Sequence, residues 1–138
     1  MSPICLDSSG WIEITHAGAN ADTFAGALSS AAPVIVSTIS LYEIARYTTR
    51  VAGEAAAEEL LAFLQQHAVI PVTPEIATLA ATLGIRHQLA MADALIYATA
   101  RHQSATLWTQ DADFKDLPDV RYFPKAQKPP SKPSAEPK

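Results

Sequence analysis

Four acidic side chains, Asp7, Glu43, Asp93 and Asp111, stand where the sequence pattern begins or ends a strand or a helix, although they are scattered along the chain. Carboxylates do not crowd together unaided, since two unit charges about 5 Å apart repel by roughly 3 kcal/mol at an effective dielectric near 20. A divalent cation between them removes that cost. A site built from oxygen ligands alone suits a hard ion, Mg²⁺ or Mn²⁺.

Each acid also has a plainer reading. Asp7 follows the apolar run Ile4 to Leu6 and can cap the helix that Ser8-Ser9-Gly10 leads into. Asp111 and Asp113 together suit an Asx turn. Glu43 has Arg46 and Arg50 on its own helix face, a pairing worth a few tenths of a kcal/mol. Asp93 is harder to dismiss, because Ala90-Met91-Ala92 precedes it and Ala94-Leu95-Ile96 follows. A carboxylate stripped of water there is protonated, paired with Arg86 or Arg101, or bound to metal, because an unpaired buried charge costs several kcal/mol.

The elements that must position these groups follow from hydrophobic period and punctuation. Short apolar runs at Ile4 to Leu6, Val34 to Val36, Val69 to Val72, Thr106 to Thr109 and Val120 to Phe123 read as strands, with Pro71 marking a sheet edge. Helices are expected after Asp7 and over Ala21 to Ala31, where Pro33 stops the second. Further helices run from a Ser37 or Thr38 cap to Gly53, from Glu54 to Gln66, from Pro74 to Gly84, and from Leu89 to Arg101. Strands alternating with helices imply an α/β fold with a parallel sheet covered on both faces. In such folds ligands bind beyond the carboxyl ends of the strands, which is where Asp7, Glu43 and Asp111 would meet.

Composition bounds the rest. The chain has 138 residues, 49% apolar and 17% charged, enough for a single core. The predicted boundary sets a body over 1–124 against a Lys- and Pro-rich tail over 125–138 expected to be disordered. The tail holds Lys125, Lys128, Lys132 and Lys138, which leaves six basic against 13 acidic residues before it. A polyanion therefore meets an opposing overall field and needs metal ions or a few local cations. Cys5 is the single cysteine, so no internal disulfide forms and its expected role is that of a buried small hydrophobe. No signal segment or membrane-length apolar run is visible, and the expected location is the cytoplasm.

Rival chemistries fail on specific residues. A phosphotransfer receiver needs an acid ending its third strand, where Thr73-Pro74 follows Val72, and a D-x-D phosphatase needs an acid where Ser9 stands. Nucleotide-cradling glycine loops, zinc spacings of His and Cys, and a G-x-S-x-G elbow are all missing.

Four pieces in order, Leu6-Asp7-Ser8-Ser9, Ser37 to Ile44, Ala92-Asp93-Ala94-Leu95-Ile96, and Leu107 to Phe114, resemble the PIN-domain nucleases, and most closely the VapC-type toxins of bacterial toxin–antitoxin pairs. The resemblance runs from about Ile4 to Phe123. It implies a three-layer sandwich with sheet order 3-2-1-4-5, dependence on Mg²⁺ or Mn²⁺, and endonucleolytic cleavage of RNA. It assigns the acidic quartet to Asp7, Glu43, Asp93 and Asp111, with Thr109 as an accompanying polar residue and Asp113 as an alternative or auxiliary acid. Arg46, Arg50, Thr109 and Asp113 are the expected substrate contacts, and Tyr42, Tyr47 and Trp11 can stack bases or belong to the core. The implied partners are RNA, a VapB-like antitoxin and a second copy in a homodimer, with no membrane. Alternatives are a non-catalytic PIN-like binding module and an RNA-maturation nuclease.

Overall fold

The computed structural model describes residues 1–125, so the expected disordered tail, apart from Lys125, lies outside the described residues. The strands are β1 (Ile4–Leu6), β2 (Val34–Ser37), β3 (Ala68–Ile70), β4 (Thr106–Thr109) and β5 (Val120–Tyr122). They pair in the order β3-β2-β1-β4-β5, and every pairing is parallel. The helices are α1 (Ser8–Thr15), α2 (Ala21–Ser29), α3 (Thr38–Ala52), α4 (Glu54–Leu64), α5 (Pro74–His87) and α6 (Met91–His102), with a 3₁₀ turn over Ala112–Phe114.

The alternation of the strands divides the core in two. Cys5, Ile35 and Leu107 face one side and pack with α5 and α6 through Ile76, Leu83, Ile96 and Tyr97. Ile4, Leu6 and Val36 face the other and pack with α1 to α4 through Trp11, Phe24, Ile44 and Leu64. Side chains of neighbouring residues on a strand point to opposite faces, so three consecutive apolar residues serve both layers at once. Cys5 is fully enclosed, and burial first and Asp7 second push its thiol up to about 12.

Helix boundaries depart from the sequence expectation where packing overrides punctuation. Gly84 does not end α5, which runs on to His87 and closes at Gln88 in the left-handed region (φ 56°). Its role is contact, because a Cβ at Gly84 would sit 3.2 Å from the Ala94 side chain of α6. The α6 helix starts at Met91, later than Leu89, and β3 ends at Ile70, before Pro71. Gly53 joins α3 to α4 at φ 91°, a conformation that side chains with a Cβ rarely adopt. Among the described residues no helix is long and apolar enough to cross a membrane.

Candidate active site

Parallel pairing puts the carboxyl ends of β1, β2 and β4 on one edge, and the polar residues there are held by backbone geometry. Asp7 is the N-cap of α1, and its Oδ1 accepts from the Gly10 amide (3.0 Å) and the Ser9 hydroxyl (2.7 Å). Its Oδ2 accepts from the Thr109 hydroxyl at the end of β4 (2.6 Å). Thr109 Oγ1 in turn accepts from the Asp111 amide (2.9 Å), and Asp111 Oδ1 accepts from the Asp113 amide (2.9 Å). The plain readings of Asp7 and Asp111 as cap and turn residues thus hold alongside a shared location.

The quartet converges. Asp7, Glu43, Asp93 and Asp111, with Ser8 and Ser9, line one pocket of about 270 Å³. Glu43 enters from the second turn of α3, which Ser37 caps through the Ile39 amide, and its Oε1 accepts from the Ser8 hydroxyl (2.6 Å). The buried Ser40 hydroxyl stands 3.1 Å from Ser8 Oγ and completes this polar seam between α1 and α3. Asp93 lies in the first turn of α6, where the helix end favours negative charge. Asp93, Asp111 and Asp113 each present a carboxylate oxygen within 4.8 Å of the others.

Among the described residues no cationic side chain lines this pocket. Burial pushes Asp7 up from 3.8 to about 6, and the Asp111 carboxylate adds to the rise, against the hydrogen bonds from Thr109, Ser9 and Gly10. Asp93 also rises from 3.8 to about 6, through burial first and then through the carboxylates of Asp111, Glu43, Asp113 and Asp7. The one salt bridge among the described residues is Arg101 with Asp119 (3.3 Å). Neither the expected pairing of Asp93 with Arg86 or Arg101 nor that of Glu43 with Arg46 or Arg50 is formed. Arg46 instead donates to the Tyr42 hydroxyl (3.1 Å), and Arg50 packs 5.8 Å from the centroid of Tyr47. Several carboxylates with no cationic side chain of the described residues among them, and donor atoms that are all oxygen, match the requirements of a hard divalent ion.

Thr109 is fully enclosed, with its hydroxyl taken up between Asp7 and Asp111, where it orients those groups. Trp11 is likewise fully buried, which removes it as a base-stacking surface and leaves the exposed Tyr42. Asp113 is exposed at the rim of the acid cluster, and Arg46 and Arg50 are exposed on α3. From sequence, Ser8 and Ser9 signal a helix start and Ser40 carries no assigned role, yet all three belong to this polar seam. Their signal was position, since Ser8 and Ser9 follow one acid and Ser40 precedes another by a helical turn.

A family model for the PIN domain matches residues 4–120. Among solved structures, a toxin–antitoxin complex from Klebsiella pneumoniae is 21% identical, with a TM-score of 0.73, covering 86% of this chain and 95% of that one. VapC20 of Mycobacterium tuberculosis, described as a sarcin–ricin loop cleaving toxin, is 25% identical over 80% of this chain and 92% of its own, with a TM-score of 0.69. FitAcB from Neisseria gonorrhoeae is 24% identical, with a TM-score of 0.66, covering 87% and 96%. No curated protein sequence matches the chain.

Proposed function

Because the chain belongs to the PIN-domain family, we propose that it is a divalent-metal-dependent endoribonuclease, the toxin of a toxin–antitoxin pair held in check by a VapB-like antitoxin in the cytoplasm. The observation that carries this reading is the convergence of Asp7, Glu43, Asp93 and Asp111 on one pocket, with no cationic side chain among the described residues to neutralise them. An acidic pocket of that kind is unstable as it stands and useful once an ion is bound. Similarity to a complex of toxin with antitoxin and to an RNA-cleaving toxin supports the substrate and the partner.

Asp93 and Asp111, helped by Asp113 at the rim, would hold the ion, with Asp7 and Glu43 completing the set. A divalent ion, Mg²⁺ or Mn²⁺, supplies Lewis acidity toward the scissile phosphate and makes water acidic enough to attack at neutral pH. The chain's own residues supply the rest. Thr109, Ser9 and the Gly10 amide fix both oxygens of Asp7, so that the carboxylate keeps one orientation. Ser8 holds Oε1 of Glu43 from the neighbouring helix. Helical and loop backbone, not flexible side chains, sets the spacing between the acids.

The test is incubation of purified protein with total cellular RNA, with Mg²⁺ or Mn²⁺ and with chelator, beside Asp7→Asn and Asp93→Asn. Cleavage in the metal lanes of the parent chain alone is the expected result, with 5′-phosphate and 3′-hydroxyl ends. Equal cleavage in every lane would identify a contaminant and remove the reading's support.

A further inference from the structure

We propose that the outer face of α3 is a track along which single-stranded RNA enters the acidic pocket, with Arg46 and Arg50 binding phosphates and Tyr42 stacking on a base beside the cut. This rests on the ribonuclease reading above and adds how the substrate is held. An acidic pocket repels a polyanion, so the approach requires local positive charge close to it. Arg46 and Arg50 follow Glu43 by one and two helical turns, about 4.5 and 10.5 Å along the axis. A hollow of about 190 Å³ lined by Tyr42, Glu43, Arg46, Tyr47 and Arg50 shares Glu43 with the acidic pocket, so the two depressions adjoin at that residue.

The arginines are available to a phosphate, since neither is within ion-pair distance of a carboxylate among the described residues. Arg101, by contrast, is tied to Asp119, and Arg121 lies 4.7 Å from the ring of Trp108. Tyr42 is 59% exposed, and its hydroxyl accepts from Arg46, which steadies the ring without covering it. Tyr47 plays a different part, packed edgewise on His16 at 5.1 Å and carrying Arg50 on its face. A free aromatic face next to two guanidinium groups suits unpaired bases and their backbone, whereas bases stacked in a duplex offer no face to it.

Anisotropy of a short fluorescent single-stranded RNA of random sequence, titrated with the full chain carrying Asp93→Asn across a range of salt, measures binding without turnover. Arg46→Ala with Arg50→Ala is expected to flatten the slope of log affinity against log salt by about 1.4, at roughly 0.7 for each phosphate no longer neutralised. Tyr42→Ala is expected to weaken binding by about 5- to 150-fold, and Tyr42→Phe to restore most of it. All these positions are solvent-facing or half-buried, so unchanged melting temperatures accompany the effects. An unchanged slope and affinity while the parent chain still cuts RNA would overturn the track and leave the nuclease reading standing. Loss of self-association by sedimentation, with RNA binding intact, would assign this face to protein contact and overturn it equally. Binding through these residues by a chain that never cuts RNA would support the track and remove the nuclease reading.

Discussion

Asp7 caps a helix and walls the acidic pocket with one carboxylate, and substitutions separate the two duties. Asparagine keeps an oxygen for the Gly10 amide and the Ser9 hydroxyl while removing the charge. Asp7→Asn should therefore melt within a few degrees of the parent and cut RNA slower by on the order of 100-fold or more, read as initial rates. Asp7→Ala should lose the cap as well, about 1 kcal/mol. Thr109→Val removes the donor to Asp7 and the acceptor for the Asp111 amide inside an enclosed site, and should cost about 1–3 kcal/mol in a denaturant titration. The pH dependence has a definite sign. Asp7 and Asp93 have folded values near 6 against 3.8, so between those limits the folded chain binds protons that the unfolded chain releases. Their contribution to stability without metal is thus greatest below about pH 4 and falls as pH rises through 6. In chelator, the melting temperature of the parent minus that of Asp7→Asn/Asp93→Asn should decline from pH 5 to pH 7.5, and a flat difference would contradict the assignment. Asp7, Asp93 and Asp111 were legible in the sequence because each stood at a turn or in apolar surroundings, whereas Glu43 joined them through the family resemblance. Thr109's orienting role was not legible, because burial of one hydroxyl between two acids depends on the register of β1 against β4.

At the scale of elements, α1 and α2 meet through a missing side chain. A Cβ on Gly10 would lie 2.8 Å from the Phe24 ring, and Phe24 is fully buried and cannot easily step aside. Gly10→Ala should destabilise the fold by about 1–3 kcal/mol and, by shifting α1, loosen Asp7 along with it. Thermal melting together with RNA cleavage checks both halves of that expectation. The same residue illustrates what a sequence conveys and what it withholds. Ser8-Ser9-Gly10 signalled a helix start, and the helix is there, but the glycine answers a contact with a residue on another helix. Gly84 is the parallel case, read as a stop and found as a close approach to Ala94. Strand positions and the α/β alternation came through because they depend on local period, and the order of the strands followed from family resemblance and not from any spacing.

For the molecule as a whole, an ion that binds the folded chain alone must raise its melting temperature. At a concentration about 100 times its dissociation constant the gain is about 2.7 kcal/mol, or roughly 10 °C for a domain of this size. Mn²⁺ should produce that rise in the parent at pH 7.5, less of it below about pH 6 where protons compete, and little in Asp93→Asn; differential scanning fluorimetry is sufficient. The scattered acids matter only because the parallel sheet brings its strand ends to one edge. That same sheet encloses Cys5 in its middle strand, two residues before Asp7. A maleimide dye added to the native chain should find no sulfur to react with until the central layer parts. Labelling at that lone thiol, counted by mass spectrometry, therefore times whole-molecule opening, and added Mn²⁺ should slow the clock.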